Sequence, residues 1–590
     1  MDVYTMFHSF QLEKFFIEEK ILTVSINGTF DYLNNSKKPK LSITFDNGAE
    51  NRRLPLQVTS FYLDSGKCFI HAECEYELEY LFWRENYDCI SIRFSLMYGG
   101  NYIDNLKLNF KNSILASDNI YYKVADKDEK VVILPQKSLE EHKRLNSKYG
   151  PLITIYSYLL FFMAVILIPL FALDAVLAQK GISEKSPDFK RTHNKLIAVL
   201  FHINWKIYEF SAHGLGRRRF KLWIMGRLYN LLRRRKVREN QIAFVSERRE
   251  DLTGNFEFIY HKIGDDPSIS IVKFLNTKPI KSLSIMEMIN YVNILSTSKV
   301  ILLDDFMPSI HTFDLKDDIT LIQLWHAVGA FKTFGFSRIG KEGGPQQFSP
   351  NHRSYDRAIV SSKEISKFYA EGFGLSNEKV VATGVPRTDV FFDEEYRKKV
   401  ESSFYMEYPH LVDKKIILFA PTFRGDGKQD AHYPMDLFNL KQIHEAIGGE
   451  YVVIVKHHPF VTEKMKIPPE YKNFIMDLSK NSEINDLLFV SDLVITDYSS
   501  VIFESSLLNV PMLFYAYDLE EYIDSRDFYY EFETFVPGKI VFNQEQVINA
   551  ILNEDFEMEK ISKFKNRFFD HLDGRSTERV VDMIYKILNS

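Results

Sequence analysis

The sequence predicts an α/β fold: two doubly wound, Rossmann-like domains facing one another across a cleft, preceded by an antiparallel β module and an apolar, basic connecting region. Three observations predict it. From Gln241 onward short apolar runs alternate with helical stretches, the series starts afresh near Lys415, and polar or basic residues stand directly after several of the runs. Such alternation marks parallel sheets covered by helices, whose ligands sit at the carboxyl ends of strands.

A chain of 590 residues is too long for one core. With 45% hydrophobic and 14% aromatic residues it is well supplied for burial, and a net charge of -5 gives no global argument for nucleic acid. The three cysteines, Cys68, Cys74 and Cys89, form no CxxC pair and fit a reducing compartment. Glu13, Glu18 and Glu19 stand where a signal peptide needs an apolar run, so no cleavable targeting segment is expected.

Residues 1–148 contain short β-branched or aromatic runs, Ile21–Gly28, Leu41–Phe45, Cys68–Ala72 and Cys89–Phe94, separated by turn residues. They predict a β-sandwich with an accessory role. Residues 149–239 are different. Gly150 to Leu173 carries no charge, and Leu152–Leu173 is long enough to cross a hydrocarbon core of about 30 Å. Pro151 and Pro169 interrupt the run and lysines or arginines flank both sides, so a span and a re-entrant, interfacial or protein-buried helix both stay open. Next comes Gly216–Arg238 (GRRRFKLWIMGRLYNLLRRRKVR), with cationic clusters interleaved with Trp223, Ile224, Leu228 and Leu231. This pattern suits an amphipathic helix on an anionic lipid surface; a solvated basic face or RNA contact are the plainer alternatives.

The first Rossmann-like domain is expected over 240–410, with strands at Ile242–Ser246, Ile269–Val272, Val300–Leu303, Thr320–Trp325, Arg357–Val360 and Val380–Thr383. The second is expected over 411–590, with strands at Lys415–Ala420, Val452–Val455, Leu493–Ile495 and Met512–Phe514. Strand ends supply the chemistry. His326 follows a strand in a turn that also holds Lys332; a histidine there can take a proton near neutral pH and a lysine can neutralise phosphate charge. Arg387 tips the turn Gly384–Asp389 (GVPRTD), Arg424 closes Ala420–Arg424 (APTFR), and Lys456–Pro459 (KHHP) ends another strand with His457 and His458. In Asp492–Glu504 a buried strand runs into Ser499 and Ser500, good N-cap residues before a helix whose unpaired N–H groups and dipole suit a phosphate.

Taken in order, Leu324–Gly335 (LWHAVGAFKTFG), Ser361 and Ser362 with GVPRTD, APTFR, KHHP and Ser491–Val501 (SDLVITDYSSV) resemble the CDP-glycerol glycerophosphotransferase family, the teichoic acid glycerol- and ribitol-phosphate primases and polymerases. The resemblance covers 240–590. It implies a GT-B-like fold and transfer of a polyol phosphate from CDP-glycerol or CDP-ribitol to a hydroxyl of a lipid-linked acceptor, with release of CMP, at the cytoplasmic face of the membrane of a Gram-positive bacterium. It further implies His326 as base, His458 at the donor diphosphate, Ser499 and Ser500 on the phosphates, and Thr496 and Asp497 shaping that loop. Arg387, Thr422 and Arg424 complete the expected donor side, and Lys332 the phosphate and acceptor side. Ala327 departs from the glycine that many members carry after the histidine, which puts the acceptor or polyol in doubt.

Phosphoryl transfer asks mainly for alignment and for stabilisation of phosphate oxygens. Asp304–Asp305 and Asp317–Asp318 are adjacent pairs read as loop or capping residues, so no tightly held metal or other cofactor is expected, with Mg²⁺ left open. A nucleotide-sugar glycosyltransferase, with Glu504 as its carboxylate, and a non-catalytic membrane scaffold are the competing readings. Glycerol or ribitol, primase or polymerase, and oligomeric state stay open.

Overall fold

The computed structural model describes residues 8–18, 21–32, 39–46, 51–78, 89–98, 101–103, 105–109, 122–127, 130–135, 216–339, 344–345, 349–425, 431–434, 437, 439–461, 465, 467–480, 482–526 and 528–590. The apolar run at 150–173 lies outside them. Among the described residues no helix is long and apolar enough to cross a membrane.

The N-terminal strands are β1 (His8–Glu18), β2 (Ile21–Asp31), β3 (Lys40–Asp46), β4 (Asn51–Asp64), β5 (Lys67–Glu77), β6 (Ile90–Tyr98), β7 (Asn101–Ile103), β8 (Leu108–Asn109), β9 (Tyr122–Lys127) and β10 (Lys130–Pro135). In β1 and β2 every second side chain is buried or nearly so, the period expected of a half-covered sheet. The expected sandwich is modified in one respect. Its two faces are one continuous sheet, ordered β8-β1-β2-β5-β4-β3-β6-β10-β9, because β4 serves both: residues 51–56 pair with β3 and residues from Gln57 onward pair with β5, with a register shift between Val58 and Ser60. The irregularity lets one long strand turn the corner. One core that includes Phe10, Phe30, Phe45 and Tyr98 fills the space between the faces.

The first lobe begins with α1 (Gly216–Leu232) and continues through β11 (Arg238–Ser246), α2 (Asn255–Ile263), β12 (Ser270–Leu275), α3 (Ile285–Thr297), β13 (Ser298–Leu303), β14 (Thr320–Gln323), β15 (Arg357–Ile359), α4 (Lys363–Phe373), β16 (Val380–Val381) and α5 (Glu394–Glu407). Its strands are parallel, in the order β12-β11-β13-β14-β15-β16. The second lobe holds β17 (Lys415–Phe419), α6 (Leu440–Ile447), β18 (Tyr451–Val455), β19 (Ile475–Asp477), α7 (Ile484–Phe489), β20 (Leu493–Thr496), α8 (Val501–Leu507), β21 (Met512–Tyr515), α9 (Leu519–Arg526), α10 (Phe532–Phe535), β22 (Lys539–Val541), α11 (Gln544–Leu552), α12 (Glu559–Phe568) and α13 (Ser576–Leu588). Its parallel order is β19-β18-β17-β20-β21-β22. Both sheets reverse direction of build beside their first strand, which opens a crevice at the carboxyl ends.

Two helices sit elsewhere than the sequence suggested. The basic helix α1 packs against α3, burying Met225 and Tyr229, and Tyr229 meets Phe313 at 5.5 Å. Lys221 donates to the carbonyl of Leu283 (2.5 Å) and Arg235 to Asn293 (2.6 Å), so cations as well as apolar groups hold the helix to the protein. Of the four apolar residues read as lipid-facing, Leu228 packs on the first-lobe core, Trp223 and Ile224 are half-buried and Leu231 stays exposed, while burial of large side chains such as Met225 and Tyr229 contributes about 1.5–3 kcal/mol each. The final helix, α13, crosses back to the first lobe, where Val580, Val581 and Ile584 pack with Ile242 and Phe244. The N-terminal sheet rests on the same lobe, through Arg53–Glu371 (3.3 Å) and Ile339.

Candidate active site

His326 lies just past β14, and its backbone is aimed by the residue before it. Trp325 has φ +56°, a left-handed conformation that a bulky side chain adopts only under constraint. The constraint is visible. The Gln323 carboxamide accepts from the Trp325 N–H (2.8 Å) and donates to the Asp305 carbonyl and the Tyr355 hydroxyl (each 3.0 Å), while buried Asn255 donates to the Trp325 carbonyl (2.6 Å). The imidazole that results is 50% exposed, with Nδ1 at 3.3 Å from Asp305 Oδ1. Burial works against the Asp305 charge, yet the hydrogen bond and charge of His326, the Phe306 N–H and Arg248 hold its carboxyl below the usual range. A carboxylate at Nδ1 assigns the proton to that nitrogen and leaves Nε2 as the acceptor.

Asp305 was read from the sequence as a loop or capping residue. It does accept the Phe306 N–H (2.6 Å), and it also orients His326. The signal available was its place at the end of β13, the strand beside β14.

The loop after His326 inserts into the second lobe. Phe331 stacks on Phe528 at 4.8 Å and Phe535 at 5.0 Å, its carbonyl accepts the Tyr529 N–H (2.9 Å), and Lys332 bridges to Phe528. Tyr369 donates to the Gly329 carbonyl (2.9 Å). Gly329, at φ +75°, touches the Phe503 ring so closely that an added Cβ would stand 2.1 Å from it. One pocket is lined by residues 325–334 together with Tyr369 and, from the other lobe, Ser500. His326 and Ser500 therefore face a shared space.

On the second lobe Ser500 occupies the N-cap position of α8 without a side-chain cap bond, and Ser499 Oγ accepts from the Val501 N–H at 3.4 Å. The helix has only seven residues, so its dipole is small; what it offers a phosphate is the Ser500 hydroxyl and first-turn N–H groups. Thr496 and Asp497 are buried and act as fasteners. Thr496 donates to the Ala420 carbonyl (2.7 Å), and Asp497 accepts from the N–H groups of Thr422 (2.7 Å) and Tyr498 (2.6 Å). Thr422 is likewise buried.

Arg424 is held by partners within its own lobe. It forms a two-pronged pair with Asp518 (2.6 and 2.9 Å), meets Asp497 at 3.0 Å, donates to the Thr422 carbonyl and lies against the rings of Tyr498 and Tyr522. Its fork is engaged by buried Asp497 and half-buried Asp518, so Arg424 braces the loop expected to meet the donor. Arg387 is also paired: it crosses between lobes to Glu504, and both side chains are largely buried. The rest of its motif is structural. Asp389 accepts the first two N–H groups of α13, from Ser576 (2.8 Å) and Thr577 (2.7 Å), and Gly384 at φ +83° gives room to Ser576. Ser361 donates to the Phe568 carbonyl (2.7 Å), another tie between the lobes.

His458 packs between Phe423 (4.8 Å) and Phe460 (4.7 Å). Its Nδ1 accepts the Phe460 N–H (3.2 Å), which leaves Nε2–H as a donor. Desolvation first, and then the charge of Lys332, pull its imidazole down to about 4. It is therefore neutral at pH 7. His457, by contrast, is buried. Among the described residues no group of three or more His, Cys, Asp or Glu side chains is arranged to hold a metal ion.

Beneath the His326 loop lie two buried histidines that the sequence reading passed over, His311 and His352, with ring centroids 5.8 Å apart. Burial first, and then the charge of His352, pulls His311 well down; burial against an opposing Asp305 brings His352 to about 3. Both are neutral in the folded protein and take up protons on unfolding below about pH 6.5. Stability is accordingly full above that pH and declines as pH falls toward 3, His352 alone removing about 2 kcal/mol at pH 5. Thermal unfolding from pH 7.5 to 5 should be flatter in His352→Asn, an amide that tolerates the φ of +65° found there. Parallel curves would remove His352 from this account.

A model of the family described as CDP-glycerol:poly(glycerophosphate) glycerophosphotransferase matches residues 227–586. This chain belongs to that family. The glycerophosphotransferase match begins inside α1 and ends inside α13, so it takes in both α/β lobes and the helices that bracket them. Among relatives, the teichoic acid poly(ribitol-phosphate) polymerase of Bacillus spizizenii is 48% identical over 357 residues, which are 60% of this chain and 58% of that protein. The teichoic acid ribitol-phosphate polymerase TarK of Staphylococcus aureus is 38% identical over 484 residues, 78% of this chain and 91% of that protein. A solved structure of the wall teichoic acid polymerase TagF superposes with a TM-score of 0.53 at 22% identity, covering 62% of this chain and 94% of that one. The likeness shows that this chain shares the paired α/β fold of TagF.

Proposed function

We propose that the chain transfers ribitol phosphate from CDP-ribitol to the terminal hydroxyl of a lipid-linked polyol-phosphate acceptor, releasing CMP, in teichoic acid synthesis. Family membership supports the reaction class. The choice of ribitol is supported by the relatives at 37–48% identity, which bear ribitol-phosphate names, whereas those bearing glycerol-phosphate names are at 28–32%. The observation that carries the proposal is the pocket in which His326, oriented by Asp305, faces Ser500 of the other lobe.

In this reading the acceptor oxygen attacks the phosphorus that carries ribitol, its proton passes to His326 Nε2, and the phosphoanhydride bond to CMP breaks. Ser499, Ser500 and the first N–H groups of α8 hold the diphosphate, Lys332 offsets its charge, and neutral His458 donates from Nε2. Arg387, paired through one nitrogen with Glu504, adds positive charge at the seam between the lobes. Thr422, Arg424, Thr496 and Asp497 keep the loop in shape. No tightly held metal takes part in this reading, so activity should survive a chelator; loss of turnover that added Mg²⁺ restores would bring in the ion. The site works at the cytoplasmic face of the membrane, with the exposed basic residues of the α1 region toward anionic lipid.

Incubation with CDP-ribitol and CDP-glycerol separately, plus a lipid-linked acceptor analogue, tests the reading: CMP is released with CDP-ribitol, and the product gains phosphorus by mass spectrometry. A product that gains a hexose from a nucleotide-sugar would sink it. The double variant Ser499→Ala, Ser500→Ala should weaken CDP-ribitol binding by about tenfold in calorimetry. An unchanged Kd would remove that contact.

A further inference from the structure

The first lobe reverses its strand order between β11 and β13, and residues that follow those two strands, Arg248 and Asp305, come together beside His326. Two consecutive arginines emerge there and behave differently. Arg249 is paired with buried Asp304 and donates to Thr253 Oγ1 (2.6 Å), so it is neutralised in place. Arg248 is 59% exposed and approaches Asp305 Oδ2 at 3.7 Å, longer than a formed hydrogen bond. Its backbone N–H is anchored on Ser246 Oγ (3.0 Å), which fixes where the side chain starts. Asp305 thus stands between two groups, with His326 on one oxygen and Arg248 beside the other. The buried carboxyl of Glu247, raised by desolvation, also feels Arg248.

We infer that Arg248 binds the phosphodiester nearest the attacking end of the acceptor chain. The inference rests on the proposed polyol-phosphate transfer and deepens it by naming what the enzyme recognises in the acceptor. The chemistry fits: a polyol-phosphate acceptor presents its terminal hydroxyl and, one polyol unit away, a phosphodiester monoanion. His326 takes the hydroxyl proton, and a guanidinium placed one carboxylate's width farther along the same wall pairs with that anion. An exposed guanidinium with N–H groups turned to solvent can meet two phosphate oxygens at once, which a lysine cannot do. The contact places the terminal hydroxyl and selects acceptors that already carry a polyol phosphate.

The test uses the full chain, CDP-ribitol, and two acceptor analogues that end in the same polyol, one joined through a phosphodiester and one through a neutral linker. For Arg248→Ala, KM for the phosphodiester acceptor rises about tenfold, KM for the neutral acceptor and the Kd for CDP-ribitol stay at wild-type values, and Arg248→Lys recovers part of the loss. The inference is overturned if both acceptors respond equally, if donor binding weakens, or if kcat and the pH–rate profile change with KM constant, since Arg248 would then act through Asp305. Turnover by the wild-type protein is read separately: if it releases CMP from neither CDP-polyol, the transferase reading itself falls.

Discussion

Replacing His326 with alanine should lower the rate of CMP release by about 10²–10⁴-fold while CDP-ribitol binds as before. The separation follows from position. His326 faces the gap from the first lobe, whereas the donor contacts assigned above lie mostly on the second, around Ser500 and His458. A half-exposed imidazole carries little of the core, so loss of the ring should leave the fold intact. Asp305→Asn is the companion variant. It exchanges a carboxylate that holds the Nδ1 proton for an amide that can also donate to Nδ1, the wrong tautomer for a base at Nε2. Its kcat should fall by about 10–100-fold, again at constant donor Kd. Near wild-type turnover in His326→Ala would end the base assignment; loss of donor binding would move His326 to the donor side.

Gly329→Ala should be nearly as damaging although position 329 donates no proton and holds no phosphate. Its φ of +75° costs a residue with a Cβ about 1–2 kcal/mol, and the Cβ would stand 2.1 Å from the Phe503 ring, an overpacking that adds about 1–3 kcal/mol. Phe503 cannot step aside, because Phe564 and Phe568 pack on it at 5.1 and 5.6 Å. The strain falls between the loop that carries His326 and the helix that begins at Ser500. We expect kcat to drop by about 100-fold, the cost of misplacing reacting groups by roughly an ångström, together with a lower Tm. Phe503→Leu in the same chain should restore part of both by giving the methyl room. An unstrained Gly329→Ala, with wild-type Tm and kcat, would show that the lobes meet more loosely than described.

Much of the site was legible because its residues punctuate strands. A parallel strand announces itself as a short apolar run, and polar residues after it have only the crevice or a cap to go to, so the motifs holding His326, Lys332, His458 and Ser500 stood out as an ordered set, while the choice of His458 over His457 came from the family resemblance. The same rule could not show what Arg424 and Arg387 pair with. Both stand at strand ends, yet their partners lie far along the chain, Asp518 at 94 residues and Glu504 at 117, and a single sequence does not say which distant carboxylates fold against them. It passed over Asp305 for the converse reason, since an aspartate after a strand looks like a cap until the neighbouring strand sets a histidine beside it. The α1 helix shows the limit again: an apolar stripe flanked by cations has the same spacing whether lipid or α3 covers it.

By itself, then, the order of residues determined the local states and the kinds of groups at each strand end, because periodicity, turn chemistry and ionisation are properties of a few neighbouring residues. Only the tertiary structure decided which cations are spent on buried carboxylates, which histidine acquires a carboxylate partner, and that a glycine and a phenylalanine from different lobes set the gap between His326 and Ser500. Those are matters of distance between remote segments, governed by packing and desolvation, which act only after the chain has folded.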